Sequence, residues 1–319
     1  MGDEETIGIV GLGLVGQALG ARLRAADLRT LGYDRSAEAM AAFAQAGGEA
    51  ANSLAELGAR VRTVLLAVFD TQGVLEVVEG EGGLLCPVIP AKAGIQGSPE
   101  KDVIPAKAGI QEVSVHRIID CSTGDPAQLE ALNERLKQQG ITFIESPLSG
   151  SSQQIAAGEA TALVGAEDAA WQSAQPLLAL LAAQCIHAGP PGMGAKAKLA
   201  TNLVLGLNRA VFAEGLVFAE SQGIAPQKFL ELVLATPARS DAAAVKGPLM
   251  VSGDFAPRSR IRQHLKDVRL MLDTADRAGV QLPFSDTHAA VLQAAVADGH
   301  GDKDNAAIVL QLRAAKLTG

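Results

Sequence analysis

Gly11, Gly13 and Gly16 stand in G-x-G-x-x-G spacing directly after the apolar run IGIV at 7–10. In that spacing Gly11 permits a tight turn, Gly13 lets backbone approach a pyrophosphate, and Gly16 lets the next helix pack closely on its strand. The helix that opens here, through Leu12, Leu14 and Val15, brings N–H donors and partial positive charge to that phosphate. Asp34 ends a second apolar run, where an acidic side chain would bind a ribose hydroxyl. The chemistry indicated is dinucleotide binding; the alternative is a glycine turn with no ligand. Asp34 favours NAD by repelling a 2′-phosphate, while Arg35 beside it could grip that phosphate bidentately. The cofactor is therefore NAD or NADP, with the balance leaning to NAD.

The elements that must position this turn are legible around it. Residues 6–35 read as strand, turn, helix and second strand. SAEAMAAFAQAGG reads as a helix closed by glycine, and VRTVLLAVFD as a buried parallel strand of nearly continuous apolar residues. TQGVLEVVEGEGGLL predicts a short helix, RIIDCST a strand, PAQLEALNERLKQQG a helix with Pro126 near its start, and ITFIESPLSG one further strand. This rhythm predicts an α/β fold, a Rossmann-type doubly wound sheet with helices on both faces, followed by an all-α C-terminal domain. Strand signals disappear near residue 190. The expected domains are 1–190 for the dinucleotide and 191–319, all helical, for substrate and dimerisation. AKAKLATNLVLGLNRAVFAEGLVFAESQG predicts one joining helix of roughly 28 residues, about 42 Å long.

Five segments, in order, resemble the β-hydroxyacid dehydrogenases, the family of 3-hydroxyisobutyrate and 6-phosphogluconate dehydrogenases. They are GLGLVG at 11–16, DCSTGDP at 120–126, SPLSGSSQQIAAGEATALVGA at 146–166, GMGAKAKLATN at 192–202 and LKDVRLMLD at 265–273. The resemblance implies an NAD(P)-dependent oxidoreductase that moves hydride between nicotinamide and a small β-hydroxy acid or its semialdehyde. Lys198 matches the family's catalytic lysine and Asn202 the asparagine one helical turn later. Helix geometry agrees, because positions i and i+4 share a face whereas Lys196 points roughly the other way. Oxidising such a hydroxyl needs a group that takes its proton as hydride leaves, and burial brings an amine's pKa towards working pH.

The family's pattern further implies that Ser149 and Gly150 hold a substrate carboxylate. Ser122 and Thr123, also at a strand end, would face nicotinamide or substrate; Val68 and Phe69 would line the cofactor; Lys266 would contact the cofactor across the cleft. The chain departs from the pattern at Ser151 after Ser-Gly, at Val68-Phe69, and at Leu14-Val15 in the glycine turn. These departures leave the hydride machinery in place and bear on the substrate. Two other readings use the same scaffold: a non-catalytic dinucleotide sensor, against which Lys198, Asn202 and both strand-end turns count, and an imine or ketone reductase, whose members typically replace the lysine.

Composition narrows the classes. Of 319 residues 48% are hydrophobic, enough for two cores, and the formal net charge of −8 offers no broad basic surface to nucleic acid. Three scattered cysteines and five histidines lack metal-ligand spacing, so no metal is expected, and a reduced cytoplasm fits. No run of apolar residues reaches a membrane span. The many apolar helical faces in the second half point to a homo-oligomer. One feature stands apart: VIPAKAGIQ occurs at 88–96 and again at 103–111. Two copies cannot form a solenoid, which needs about three stacked units. Residues 88–111 therefore read as an inserted loop at the N-terminal end of the RIIDCST strand, remote from a site at the strands' carboxyl ends. The nonapeptide resembles a translated copy of short interspersed DNA repeats of bacterial genomes.

Overall fold

The computed structural model describes residues 6–86 and 114–315. The VIPAKAGIQ repeat lies outside the described residues. The strands are β1 (Ile7–Val10), β2 (Thr30–Tyr33), β3 (Glu49–Ala50), β4 (Thr63–Leu66), β5 (Arg117–Asp120), β6 (Thr142–Glu145), β7 (Leu148–Ser149), β8 (Thr161–Gly165) and β9 (Gln184–Gly189). The helices between them are α1 (Leu14–Ala25), α2 (Ala37–Gln45), α3 (Leu54–Arg60), α4 (Thr71–Glu79), α5 (Pro126–Gln138), α6 (Ser152–Ala157) and α7 (Asp168–Leu181). Most begin at a polar cap read directly from the chain: the side chains of Ser36, Ser53, Asp70, Asp125 and Ser151 accept backbone N–H groups at the starts of α2, α3, α4, α5 and α6.

The sheet runs β3-β2-β1-β4-β5-β6-β8-β7, with β9 paired to β8. β1 to β6 are mutually parallel, and β8 runs antiparallel to β6 and β7. Alternate side chains feed two cores. Ile7, Ile9, Leu65, Ile119 and Ile144 pack with Leu19 and Leu23 of α1 and Leu177, Leu178 and Leu181 of α7. Val10, Val64, Leu66, Ile118 and Phe143 pack against α3, α4 and α5 on the other face. This is the doubly wound sheet that the βα rhythm indicates.

One expectation needs correcting. ITFIESPLSG is two strands, not one: the chain breaks at Ser146–Pro147, β6 pairs with β5, and β7 pairs with β8 in the opposite sense. Proline has no N–H to donate to a ladder, so pairing stops there.

After Gly189 the chain is helical: α8 (Met193–Ser221), α9 (Pro226–Leu234), α10 (Asp241–Ser252), α11 (Ile261–Arg277), α12 (Pro283–Ala295) and α13 (Ile308–Ala314). α8 is one unbroken helix of 29 residues, packed by α10, α11, α12 and α13. It is long and apolar enough to cross a bilayer. Yet Lys198, Asn202 and Arg209 on it are turned inward and buried, as in a core helix. Asp304 staples the loop before α11, its carboxylate accepting Lys246 Nζ at 2.8 Å and the N–H groups of Arg258, Ser259 and Ala306; Arg258 in turn meets Ser152 and Gln153 of α6.

Candidate active site

The glycine turn lies at the carboxyl end of β1, in the middle of the sheet, flanked by β2 and β4. Gly11 has φ +88°, and a side chain there would also run into the Ala67 carbonyl. Gly16 sits against the Gly11 carbonyl, where a Cβ would overlap it. Gly13 faces open space, with no atom within 4 Å of a built Cβ, and α1 starts with no side-chain cap and no acid in its first turn. Those uncapped N–H groups and that open face fit a dinucleotide pyrophosphate. Leu12 is buried; Leu14 and Val15 are half-buried in the first turn.

Asp34 stands just beyond β2. Its Oδ2 accepts the Leu12 N–H at 2.7 Å and its Oδ1 the Ser36 N–H at 2.8 Å. The carboxylate thus ties the glycine turn to the next strand and sits where a ribose would lie. Arg35 turns away, to an exposed ion pair with Glu76 of α4 at 2.8 Å.

Three chain segments converge at the neighbouring strand ends. Past β4, Val68 donates its N–H to Ser122 Oγ at 3.0 Å, and the Phe69 ring is half exposed. Ser122 is buried, its own N–H bonded to Asp120 Oδ1, so it shapes the loop from within. From α11, Lys266 Nζ donates to the Thr123 carbonyl at 2.8 Å and lies 5.8 Å from the centre of the Phe69 ring, while Gln263 donates to the Phe69 carbonyl. Arg277 of α11 pairs with Asp125, the cap of α5. The helical unit therefore closes over the carboxyl ends of β4 and β5.

Lys198 and Asn202 enter from α8. Both are buried, at 7% and 8% exposure, which an ordinary helix lysine is not. Lys198 Nζ donates to the Leu148 carbonyl at 2.8 Å, beside Ser149. Burial lowers its pKa, partly opposed by Asp267. Asn202 Nδ2 donates to Asp267 Oδ2 at 3.0 Å, and the other oxygen of Asp267 pairs with Lys266 at 2.8 Å. Gly150 follows Ser149 with φ +157°, at the limit of what a side chain tolerates. Ser151, where the expected motif has glycine, starts α6: its Oγ accepts the Gln154 N–H and Gln154 Oε1 accepts its N–H, a reciprocal cap.

Lys198, Asn202, Ser149, Gly150, Thr123 and Lys266 are thus brought to one cleft, with Ser122 at the same strand end bonded to the Val68 N–H, while Arg35 is directed to Glu76. Asp267 is a member that the motifs left unassigned. The one local signal was its place beside Lys266; its burial and its bond to Asn202 of α8 appear only in the fold.

The family model for the NAD binding domain of 6-phosphogluconate dehydrogenase matches residues 6–102 and 96–189. The model for NAD-binding of NADP-dependent 3-hydroxyisobutyrate dehydrogenase matches 192–312. The chain is 28% identical over 314 residues to an L-threonate dehydrogenase of Cupriavidus necator, covering 98% of each chain. It is 27% identical to a 2-(hydroxymethyl)glutarate dehydrogenase of Eubacterium barkeri, covering 95% of this chain and 93% of that one. A crystal structure of 3-hydroxyisobutyrate dehydrogenase from Salmonella typhimurium superposes with a TM-score of 0.78 at 25% identity, over 96% of this chain and 99% of that one.

Proposed function

Because the chain belongs to the β-hydroxyacid dehydrogenase family, an NAD(P)-dependent class of oxidoreductases, we propose that Lys198 is the general acid/base of its hydride transfer. The observation that carries this is the buried Lys198 amine, held at the Leu148 carbonyl next to the Ser149–Gly150 turn. When bound along the glycine turn, the dinucleotide supplies the hydride acceptor or donor. Lys198, with its pKa lowered by burial, takes the substrate hydroxyl proton in oxidation and returns it in reduction. Asn202 orients that hydroxyl, itself fixed by Asp267. Ser149 and the Gly150 N–H hold the substrate carboxylate, and Lys266 fastens the cleft through the Thr123 carbonyl.

The substrate is a small β-hydroxy acid or its semialdehyde; the named relatives act on threonate and 2-(hydroxymethyl)glutarate, both hydroxy acids. Asp34 supports NAD, since its carboxylate would repel a 2′-phosphate and Arg35, the cation beside it, is taken up by Glu76. Self-association fits a stripe on α8: Val204, Val211 and Phe218, seven residues apart, are 57%, 66% and 67% exposed. A cytoplasmic setting suits a reduced dinucleotide and three free thiols.

The test follows nicotinamide absorbance with wild type and Lys198→Ala, each given NAD(H) or NADP(H) and a panel of β-hydroxy acids and semialdehydes. The expected result is a loss of kcat of about 10²–10⁴-fold in the variant with dinucleotide Kd retained. Turnover at the wild-type rate by Lys198→Ala refutes the role.

A further inference from the structure

The start of α8 is not capped by its own residues. Gly192 precedes it in left-handed conformation, φ +91°, and its first turn carries no acid. The N–H groups left over at a helix start need partners, and here they come from another element. Glu145, the buried last residue of β6, reaches across: one oxygen accepts the Gly192 N–H at 2.5 Å and the other the Ala195 N–H at 2.8 Å. Three residues beyond Ala195 is Lys198; three residues beyond Glu145 is Leu148, whose carbonyl accepts the lysine's amine. Segment 145–148 thus holds the same two helical turns twice, once by their backbone and once by the lysine's tip. The contact between the tethers has no slack. A Cβ built on Gly165 would lie 2.5 Å from the Gly194 nitrogen and 2.9 Å from Glu145 Oε2, and one on Gly194 would lie 3.1 Å from the Glu145 Cβ.

We propose that Glu145 is a positioning residue for the hydride transfer: by holding the first turn of α8 against β6, it sets where the Lys198 amine stands in the cleft. This rests on Lys198 as the general acid/base. The groups facing Glu145 are Asp120, its register partner on β5; Glu130 of α5, which pairs with Lys196 of α8; and, beyond Asp120, Lys266 of α11. Burial pushes the Glu145 carboxyl up to about 7, opposed by the two amides it accepts and reinforced by Asp120 and Glu130. Once protonated, it no longer offers two charged acceptors to the helix start, whose partial positive charge favours the anion. The tether then slackens.

Glu145→Gln copies the protonated state in shape. The measurement is kcat, KM and dinucleotide Kd across roughly pH 5–9, the span in which a bell-shaped profile exposes such groups, with hydrogen exchange at the Gly192 and Ala195 amides. Expected for the variant are a kcat about 10- to 100-fold lower at the alkaline end, as for a displaced catalytic group, unchanged dinucleotide Kd and faster exchange at both amides. The acidic limb that the buried Glu145–Asp120 pair gives the wild type, between about 6 and 7, moves in the variant. Glu145→Asp, which keeps the charge but lacks the reach, falls between the two and keeps the limb; it carries the test if Glu145→Gln does not fold. Wild-type kcat and an unmoved limb in Glu145→Gln overturn the proposal while Lys198→Ala remains inactive. If Lys198→Ala itself turns over normally, both readings fall, and the two failures are told apart by that variant.

Discussion

Asp267 shows how much of the site's order rests on one side chain. It accepts from Asn202 with one oxygen and pairs with Lys266 through the other, so it fixes a substrate-facing group and a loop-fastening group together. Removing one partner of a buried network leaves the others unsatisfied. Asp267→Ala is therefore expected to lower kcat/KM by about 10- to 100-fold, which is roughly 1.4–2.8 kcal/mol at 1.4 kcal/mol per decade, and to weaken dinucleotide binding as well. Steady-state kinetics beside a direct cofactor titration separate this from Lys198→Ala, whose cofactor affinity stays intact. Lys198 and Asn202 were legible in sequence because GMGAKAKLATN resembles the family's motif, and the shared helix face of positions i and i+4 agrees with it. Asp267 and Glu145 were not, since their partners lie 65 and 47 to 50 residues away and no local pattern links them.

At the scale of elements, what was legible follows the strength of the period. β1, β2, β4 and β5 are short runs of buried residues, and each is closed by a turn or cap with its own chemistry. β8 and β9 were not separated from the motif around them: β9 alternates between exposed and half-buried residues at the edge of the sheet, so it lacks the apolar run of a central strand. The break between β6 and β7 depends on which neighbour each half pairs with, which is a tertiary fact. The contact between β1 and α1 is the tightest among them, because Gly16 meets the Gly11 carbonyl without room for a methyl group. Gly16→Ala is expected to cost about 1–3 kcal/mol, the usual range for overpacking, and to raise the dinucleotide KM. Urea unfolding measures the first effect, and initial rates across dinucleotide concentrations the second.

The whole molecule carries a pH liability in its helical half. His264 and His288 face each other with ring centroids 5.1 Å apart, both buried, and burial beside Arg209 lowers both pKa values, that of His288 to about 4. Above the ordinary histidine value near 6.5 both states are neutral and the group contributes nothing. As pH falls from there towards about 4, the unfolded chain takes up a proton that the folded chain refuses, and folding loses stability. The loss from His288 amounts to about 3 kcal/mol, from a shift of roughly 2.5 units at 1.36 kcal/mol each. His288→Leu is expected to narrow its stability gap to the wild type, or to overtake it, as pH drops through that window; denaturant midpoints at several pH values check this.

The two halves of the molecule meet on α8, a rod whose first two turns are held by the sheet and whose remaining length is packed by α10, α11, α12 and α13. Its 29 residues span about 43 Å at 1.5 Å per residue. Glu145 and Leu148 grip the first two turns, while near the other end Glu220 pairs with Arg313 of α13 and the apolar stripe through Phe218 faces outward. Held at both ends, such a rod tilts only with the bundle around it: a turn of about 5° at the grip would have to carry the region of Phe218 and its packed neighbours through roughly 3 Å, over the ~35 Å between them at that rise. The helical bundle thus stiffens the angle at which α8 enters the cleft, and with it the place of the Lys198 amine near its start.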